Sequence, residues 1–239
     1  MPAVLRTPID PSVLVRSLRN GFERLLGRQR TRLRGRTVDL SAPLDLRAGE
    51  ILLSFDDGPS AKLTPRILRT LARFDVTALF FMVGRQAATR PATARNVRRK
   101  GHLVGSHTFN HPRLPDLSIN DAMAEIETGH AAVAAALPAE LPPAPLFRFP
   151  YLIDTPQLRQ RVEAMGMRVI DVDIIAYDWE DRTVAATLAF VLGEIDRHGK
   201  GIVLLHDIQR RTAAMLPGLL WALRERGMTV ITPTFGERR

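Results

Sequence analysis

Short apolar runs alternate with longer amphipathic segments between residues 50 and 232. Apolar runs bounded by turn residues are typical of buried strands, and apolar positions three and four apart indicate helices. The chain is therefore predicted to alternate between strands and helices. The predicted strands are 50–55, 76–82, 102–106, 146–149, 167–173, 201–206 and 228–232. The predicted helices are 64–74, 86–100, 118–137, 155–165, 183–198 and 212–227.

Seven strands that alternate with helices predict an α/β protein built as a parallel barrel. The length of 239 residues suits one such domain, since these barrels usually contain about 250 residues. A doubly wound open sheet is the alternative, but it would bring fewer strand ends around one centre. We expect a basic leader over residues 1–36 and the barrel over residues 37–239.

Two helix starts carry recognisable capping signals. Thr64 precedes Pro65, which predicts a cap followed by proline at the first helical position. Ser118 is followed three residues later by Asp121, which indicates a second helix start.

Two adjacent acids, Asp56 and Asp57, follow the apolar run 51–53 and precede a Gly-Pro turn. Two like charges at the buried end of a strand are costly unless a cation compensates them. A metal ion bound by one acid, with the other acting as a base, would remove that cost. An exposed acidic turn is the ordinary alternative for this motif taken alone.

About fifty residues later, His107 and His111 lie four positions apart. On one short helical turn, capped by Ser106 and ended before Pro112, both imidazoles would share one face. Two histidines and one carboxylate supply three metal ligands and leave one position open. Two surface histidines without a metal are the ordinary alternative.

Three further polar clusters follow in chain order. The first contains Arg148 and Tyr151, the second runs from Asp171 to Trp179, and the third contains Leu204 and His206. Each cluster alone is compatible with a surface salt bridge, a loop or a capping residue. Those ordinary readings do not explain why all five clusters come where an apolar strand ends.

These five ordered clusters, from Ser54 to Asp207, resemble the motifs of polysaccharide deacetylases of the NodB-homology type, carbohydrate esterase family 4. The resemblance implies a distorted, seven-stranded (β/α) barrel. It also implies a metal-dependent hydrolase that removes N-acetyl groups from a polysaccharide or oligosaccharide containing N-acetylglucosamine. One divalent ion is implied, zinc by default with cobalt or nickel as alternatives. The metal ligands match Asp57, His107 and His111.

The resemblance also assigns the other positions. Asp56 matches the catalytic base, Arg148 the residue that orients it, and His206 the general acid. We expect the cation to hold the pKa of Asp56 low and a neighbouring carboxylate to raise the pKa of His206. The substrate-facing positions are Tyr151, whose backbone N–H matches an oxyanion donor, Trp179, which matches a wall of the groove, and Leu204.

Two departures from the family pattern concern the substrate groove. Tyr151 is followed by Leu-Ile-Asp, where many relatives place a turn containing glycine. The segment from Asp171 to Trp179 is longer than the common pattern. The substrate therefore stays open. The carboxylate that pairs with the general acid also stays open between Asp173 and Asp178, of which Asp178 matches the family position.

Two other functions use the same residues or the same fold. A related metal-dependent amidase would act on a small or cyclic amide, and the shape of the groove would separate it from a glycan deacetylase. A non-catalytic carbohydrate-binding relative would keep the fold, but every catalytic position here is filled by a competent residue.

Positive charge is concentrated at the start of the chain. Residues 1–36 contain nine arginines and two acids, a net charge of +7 out of the total of +9. The remaining residues are nearly neutral and show no basic-aromatic pattern, so we expect no nucleic-acid partner. Cysteine is absent, which excludes a disulfide framework and a thiol nucleophile. No run approaches the ~20 apolar residues of a membrane span.

The leader itself allows two interpretations. Apolar residues recur at helical spacing between its arginines, and such a basic helix can make a weak contact with an anionic membrane surface. The simpler interpretation is a helix that packs on the barrel, with residues 28–36 as a solvated connector. The leader lacks the continuous apolar core of a secretion signal, so we expect a cytoplasmic or membrane-peripheral protein. The sequence predicts no oligomeric state.

Overall fold

The computed structural model describes residues 33–236. The predicted leader helix lies outside the described residues. Within this range the chain forms nine strands and seven α-helices. The strands are β1 (Arg34–Asp39), β2 (Glu50–Asp56), β3 (Leu79–Met82), β4 (Leu103–Ser106), β5 (Leu146–Phe147), β6 (Arg168–Val169), β7 (Ile174–Ile175), β8 (Gly201–His206) and β9 (Thr229–Thr234). The helices are α1 (Leu63–Arg73), α2 (Gly84–Thr89), α3 (Pro91–Arg99), α4 (Ile119–Ala136), α5 (Pro156–Ala164), α6 (Val184–His198) and α7 (Arg210–Glu225).

Seven parallel strands form the wall of a barrel. β2 pairs with β3 on one side and with β8 on the other. The sheet continues from β3 through β4 and β5 to β6, and from β8 to β7. The two end strands, β6 and β7, have two residues each and do not pair with each other within the described chain. The predicted α/β barrel is confirmed, and the gap between β6 and β7 is its distortion.

A further parallel pair, β1 and β9, extends the sheet beside β2. β9 pairs with the start of β2 and with β1. The sequence did not predict β1, and the expectation of a solvated connector is wrong for residues 34–36. Because β1 is an edge strand, only Val38 among its residues is buried. It therefore has no apolar run by which it could be recognised.

Two predicted elements are divided in the structure. The predicted helix 86–100 consists of α2 and α3, because Pro91 occupies the first position of α3 and cannot continue α2. The predicted strand 167–173 contains only β6 and an irregular stretch, and β7 begins just after it at Ile174. The loss of regular pairing at this point coincides with the gap in the barrel.

The two predicted helix starts have different outcomes. Ser118 caps α4 by accepting a hydrogen bond from the Asp121 N–H, as predicted. The prediction for Thr64 is wrong, because this residue lies inside α1. The hydroxyl of Ser60 accepts the Leu63 N–H instead, and this frees Thr64 for a contact in the site described below.

The core fixes the strand ends in place. Every residue of β2 is buried, and Phe55 stacks on Phe80 of β3 with ring centroids 5.0 Å apart. The inner face of α1 buries Ile67 and Leu71 against this sheet. This packing holds the carboxyl ends of the strands in a fixed rim.

No described helix is long and apolar enough to cross a membrane.

We expect removal of residues 1–40 to destabilise the protein by roughly 3–5 kcal/mol more than removal of residues 1–32. The longer deletion removes β1 and the three buried side chains of Leu33, Val38 and Leu40, and each contributes about 1–2 kcal/mol, because burial relative to an extended chain is an upper bound. Denaturant unfolding of the two truncated chains measures the difference. Equal stability of the two would show that β1 contributes nothing to the barrel.

Candidate active site

The five polar clusters meet at the carboxyl ends of the barrel strands. Asp56 ends β2 and His206 ends β8, and the parallel register places these two residues side by side. His107 directly follows β4, and Arg148 directly follows β5. Because parallel strands end at one edge, Asp56, His107 and His206 line one cavity of about 450 Å³, while Arg148 is fully buried and contacts Asp56. This is the position at which barrel enzymes carry their active sites.

Three side chains converge at the floor of this cavity. The Asp57 Oδ1 lies 3.2 Å from the His111 Nε2 and 3.5 Å from the His107 Nε2. The two Nε2 atoms are 3.2 Å apart. The Asp57 Oδ1 is buried and has no hydrogen-bond partner among the described residues. A buried carboxylate oxygen without a donor, facing two imidazole nitrogens, fits a divalent cation.

The orientation of His107 is fixed by its other ring nitrogen. Its Nδ1 lies 2.7 Å from the Arg148 carbonyl oxygen, so the Nε2 faces Asp57. Burial lowers the pKa of His107 to about 3, which keeps the imidazole neutral. Neutral imidazole is the form that binds metals, and the hydrogen bond to a carbonyl is the usual support of a metal-binding histidine.

His107 and His111 reach each other through a loop, so the predicted helical turn is wrong. Ser106 is the last residue of β4 and does not cap a helix. Thr108 and His111 have φ angles of 62° and 65°, in the left-handed region. The physical reason is that Pro112 disfavours the right-handed helical conformation at His111. The chain leaves β4 extended and then bends back.

Helix α4 supports this loop through Glu125, which sequence reasoning missed. Its Oε2 accepts the Phe109 N–H (3.2 Å) and the Asn110 N–H (2.8 Å), and its Oε1 accepts the Asn110 side-chain N–H (2.7 Å). Gly129, one turn later, lets the loop approach closely, since a Cβ there would lie 2.2 Å from the Thr108 carbonyl carbon. No motif signals these contacts, because they depend on how α4 packs.

Asp56 is held by the fully buried guanidinium of Arg148. The Arg148 Nη1 donates to the Asp56 Oδ1 and to the Ser54 Oγ, both at 2.8 Å. Its Nε donates to the Ile170 carbonyl at 3.0 Å, and the group lies 4.2 Å from the centre of the Phe81 ring. Among the protein groups alone, burial raises the pKa of Asp56 and outweighs the opposing effect of Arg148. The low pKa expected from a cation stays a prediction.

His206 pairs with Asp178, which resolves the choice left open by the sequence. The His206 Nδ1 lies 2.7 Å from the Asp178 Oδ1, and the His206 N–H donates to the Asp178 Oδ2 at 2.8 Å. Thr212 of α7 also hydrogen-bonds to this carboxylate. Asp173 lies elsewhere, where it accepts the Ile202 N–H at 2.7 Å near the start of β8.

The charge state of His206 follows from this environment. Burial by itself would lower the pKa of His206, but the hydrogen bond and charge of Asp178 oppose it. Together with the charges of Asp57 and Asp56, they raise the pKa to about 9. The expected rise in the pKa is therefore confirmed. His206 is cationic at neutral pH, and its Nε2 lies 3.9 Å from the Asp57 Oδ2.

Asp207 supports the turn that carries Asp57. It is fully buried, accepts the Thr64 hydroxyl at 2.5 Å, and donates its backbone N–H to the Asp56 carbonyl at 3.3 Å. Gly58 is required beside it, because a Cβ there would lie 2.0 Å from the Asp207 Oδ1. Burial raises the pKa of Asp207 to about 7. The ordinary reading of Asp207 as a helix cap is wrong, because α7 begins only at Arg210.

The walls of the cavity contain the three predicted substrate-facing residues. Tyr151 is 59% exposed and places its ring 4.7 Å from that of His111. Trp179 is 47% exposed and packs edge-on against His206 at 5.0 Å. Leu204 lies buried beneath them. The sequence did not single out the further lining residues Phe149, Leu152, Ile175, Tyr177 and Gln209 as cavity positions.

The loop after Arg148 keeps an unusual backbone without glycine. Tyr151 and Leu152 have φ angles of 60° and 57°, in the left-handed region that favours glycine. This is the place where the sequence departs from the glycine-containing turn of many relatives. The structure places Leu152 at the cavity on this left-handed backbone.

The fold and the cavity together define a parallel-barrel protein with a carboxylate–histidine centre at its strand ends. The family sequence model described as polysaccharide deacetylase matches residues 45–170. The chain therefore belongs to the polysaccharide deacetylase family, whose members are hydrolases.

Individual relatives agree with this assignment. The chain is 33% identical over 194 residues to a peptidoglycan-N-acetylglucosamine deacetylase, PgdA, of Listeria monocytogenes, a match that covers 79% of this chain and 39% of the relative. It is 30% identical over 196 residues to a chitooligosaccharide deacetylase of Sinorhizobium fredii, covering 77% of this chain and 89% of the relative. The chain thus spans well under half the length of the Listeria protein.

A solved structure shows the same likeness in three dimensions. The Bdellovibrio bacteriovorus peptidoglycan deacetylase Bd3279 superposes with a TM-score of 0.77 at 32% identity. The match covers 88% of this chain and 61% of that one.

We expect Asp178→Asn to lower the pKa of His206, because the substitution removes the negative charge that opposes the effect of burial. Titration of His206 by NMR in metal-free protein measures the change. The matched control is Asp173→Asn, which should leave the His206 pKa unchanged. Because the folded-state pKa is raised, the pair stabilises the protein fully below about pH 6.5. This stabilisation is lost as the pH rises through about 9.

Equal effects of Asp178→Asn and Asp173→Asn on the pKa of His206 would contradict the pairing of His206 with Asp178.

Proposed function

We propose that the protein is a metal-dependent hydrolase that removes N-acetyl groups from a glycan containing N-acetylglucosamine. The observation that carries this proposal is the arrangement of three units around one cavity. A ligand set of two histidines and Asp57 lies between the Arg148-bound Asp56 and the Asp178-bound His206. The named activities of the peptidoglycan and chitooligosaccharide deacetylases that the chain resembles support the substrate class.

Asp57, His107 and His111 would hold the metal ion. Their ligand atoms lie within 4.8 Å of one another, and the orphaned Asp57 oxygen points to the same place. Zinc is the first choice for two imidazoles and one carboxylate, and cobalt or nickel suits the same ligands. Such an ion, when bound, polarises a carbonyl oxygen and makes water more acidic.

Asp56 acts as the general base in this proposal. Its Oδ1 is bound to Arg148, while its Oδ2 faces the centre at 3.8 Å from the His107 Nε2. The free oxygen is therefore the one that can accept a proton from an attacking water. Arg148 fixes the carboxylate in this orientation, so that the Oδ2 is kept available for the attacking water.

His206 acts as the general acid. Asp178 holds its Nδ1, so its Nε2 is the atom that faces the cavity. The proton on this nitrogen can pass to the amine that leaves when the amide bond breaks. Acetate and a free amino sugar result. We assign to the backbone N–H of Tyr151 the role of a hydrogen-bond donor that stabilises the negative charge developing on the carbonyl oxygen.

The cavity walls support a sugar substrate. Tyr151 and Trp179 expose aromatic surface at the rim, which suits the apolar faces of sugar rings and would be unnecessary for a small enclosed amide. Every catalytic position is filled and makes the contact its role requires, which argues against a non-catalytic carbohydrate-binding protein.

Metal removal tests the first part of the proposal. We expect exhaustive chelation to abolish release of acetate from N-acetylglucosamine oligomers, and added zinc, cobalt or nickel to restore it. His111→Ala should lose metal binding by calorimetry, because one of three protein ligands is gone. Asp56→Asn is the matched control, since it should bind metal normally yet release no acetate. Full activity in protein shown to be metal-free would refute the metal site.

The acid–base assignment predicts a bell-shaped pH profile. Activity should fall at low pH as Asp56 is protonated, and at high pH as His206 loses its proton near its raised pKa of about 9. His206→Ala should lower the rate on amide substrates by about 10²–10⁴ and remove the alkaline limb.

The leaving group provides the control for this assignment. The loss in His206→Ala should be much smaller for an aryl acetate, whose leaving group needs little protonation. An equal loss on amide and ester substrates would show that His206 binds substrate or supports the groove instead.

A further inference from the structure

Basic residues are segregated to one side of the barrel. Residues 58–100 contain ten lysines and arginines and a single acid, Asp75, a net charge of +9. The leader 1–36 adds +7, so the rest of the chain carries a net charge of −7. Residues 58–100 form α1, β3, α2 and α3. The residues that follow the leader are nearly neutral in total, but their positive and negative charges are concentrated in different parts of the chain.

The basic residues of α1 share its outer face. Ile67, Leu68 and Leu71 occupy the buried face of this helix. The basic positions recur at intervals of four, three and four, so they form one stripe on the opposite side. With a rise of 1.5 Å per residue, this stripe is about 16 Å long. Its members are Lys62, Arg66, Arg69 and Arg73, and all are exposed.

Helix α3 packs beside α1 and widens the stripe. Arg99 and Lys100 are exposed at its carboxyl end, and Arg85 is exposed at the start of α2. Arg95 and Arg98 hydrogen-bond to the carbonyl oxygens of Ala136 and Pro142, which leaves their charges uncompensated. We call the surface formed by these residues and the α1 stripe the basic face.

Several charges of the basic face, Arg73 not among them, have no ion-pair partner among the described residues. Arg66, Arg69, Arg99 and Lys100 form no ion pair with a described residue. Several arginines on other sides are ion-paired, as Arg226 is with Asp196 at 2.9 Å. Adjacent unpaired positive charges repel one another, and an extended anionic partner would relieve that repulsion.

We propose that the basic face docks on an anionic phospholipid bilayer. The described chain starts beside it, because the Leu33 N–H donates to the Phe74 carbonyl just after α1. Residues 1–32, which contain seven arginines and two acids and so carry a net charge of +5, thus join the chain next to the basic face. The apolar residues at helical spacing in the leader favour a bilayer over a water-soluble polyanion, because only a bilayer offers an apolar layer beneath its charges.

Docking by this face leaves the active-site cavity open. None of the residues that line the cavity belongs to α1, α2 or α3. The cavity lies at the carboxyl ends of the strands, whereas the basic face lies on the side of the barrel. A bound protein would therefore be confined to the membrane surface and still admit a glycan.

Vesicle sedimentation with the full chain tests this proposal without any reference to activity, so it stands or falls separately from the deacetylase function. Vesicles of phosphatidylcholine with one third phosphatidylglycerol should bind the protein, and vesicles of phosphatidylcholine alone should not. Added salt should weaken the binding. The triple variant Arg66→Gln, Arg69→Gln, Arg99→Gln should bind on the order of 100-fold more weakly, since each basic residue near an anionic leaflet contributes roughly fivefold.

Two controls separate the basic face from net charge and from folding. The variant Arg113→Gln, Arg161→Gln, Arg197→Gln removes the same charge from elements outside the face and should bind nearly as well as the parent chain. The variant Arg66→Lys, Arg69→Lys, Arg99→Lys keeps the charge and should also bind. The proposal is overturned if the parent chain ignores anionic vesicles, if both glutamine variants lose binding equally, or if soluble polyphosphate binds and vesicles do not.

Discussion

The buried guanidinium of Arg148 is the interaction on which the site depends. A fully buried charge is stable only when its donors are satisfied and a counter-charge lies beside it. Arg148 meets this requirement by bonding to Asp56 and Ser54, which both belong to β2, and to the carbonyl of Ile170, which follows β6. Its own carbonyl fixes the ring of His107. One residue therefore couples the proposed base to the proposed metal centre.

The same rim places groups of opposite character within a few ångströms. Burial makes His107 neutral, whereas Asp178 overcomes burial and keeps His206 charged. The two histidines at the carboxyl ends of β4 and β8 thus have different roles, one suited to bind a cation and one suited to donate a proton. The difference arises from their hydrogen-bond partners, a carbonyl oxygen for His107 and a carboxylate for His206.

Sequence reasoning succeeded where the signal was local and failed where it depended on packing. Buried strands such as β2 and β8 have continuous apolar runs, so they were recognised, whereas the edge strand β1 has no buried face and was missed. The spacing of His107 and His111 correctly brought them together, but the helical turn that explained the spacing was wrong. Glu125 and Thr212 support the site from the helices α4 and α7, and no motif indicates them.

The sequence alone determined the α/β barrel and the set of residues at its rim, because apolar runs that end in polar residues define both the strands and the edge where they stop. The tertiary structure alone decided which partners those residues have. His206 pairs with Asp178 instead of Asp173. The Asp57 Oδ1 faces two imidazoles and has no hydrogen-bond donor among the described residues. The physical reason is that pairing, burial and the resulting pKa depend on distances between residues far apart in the chain, and only packing sets those distances.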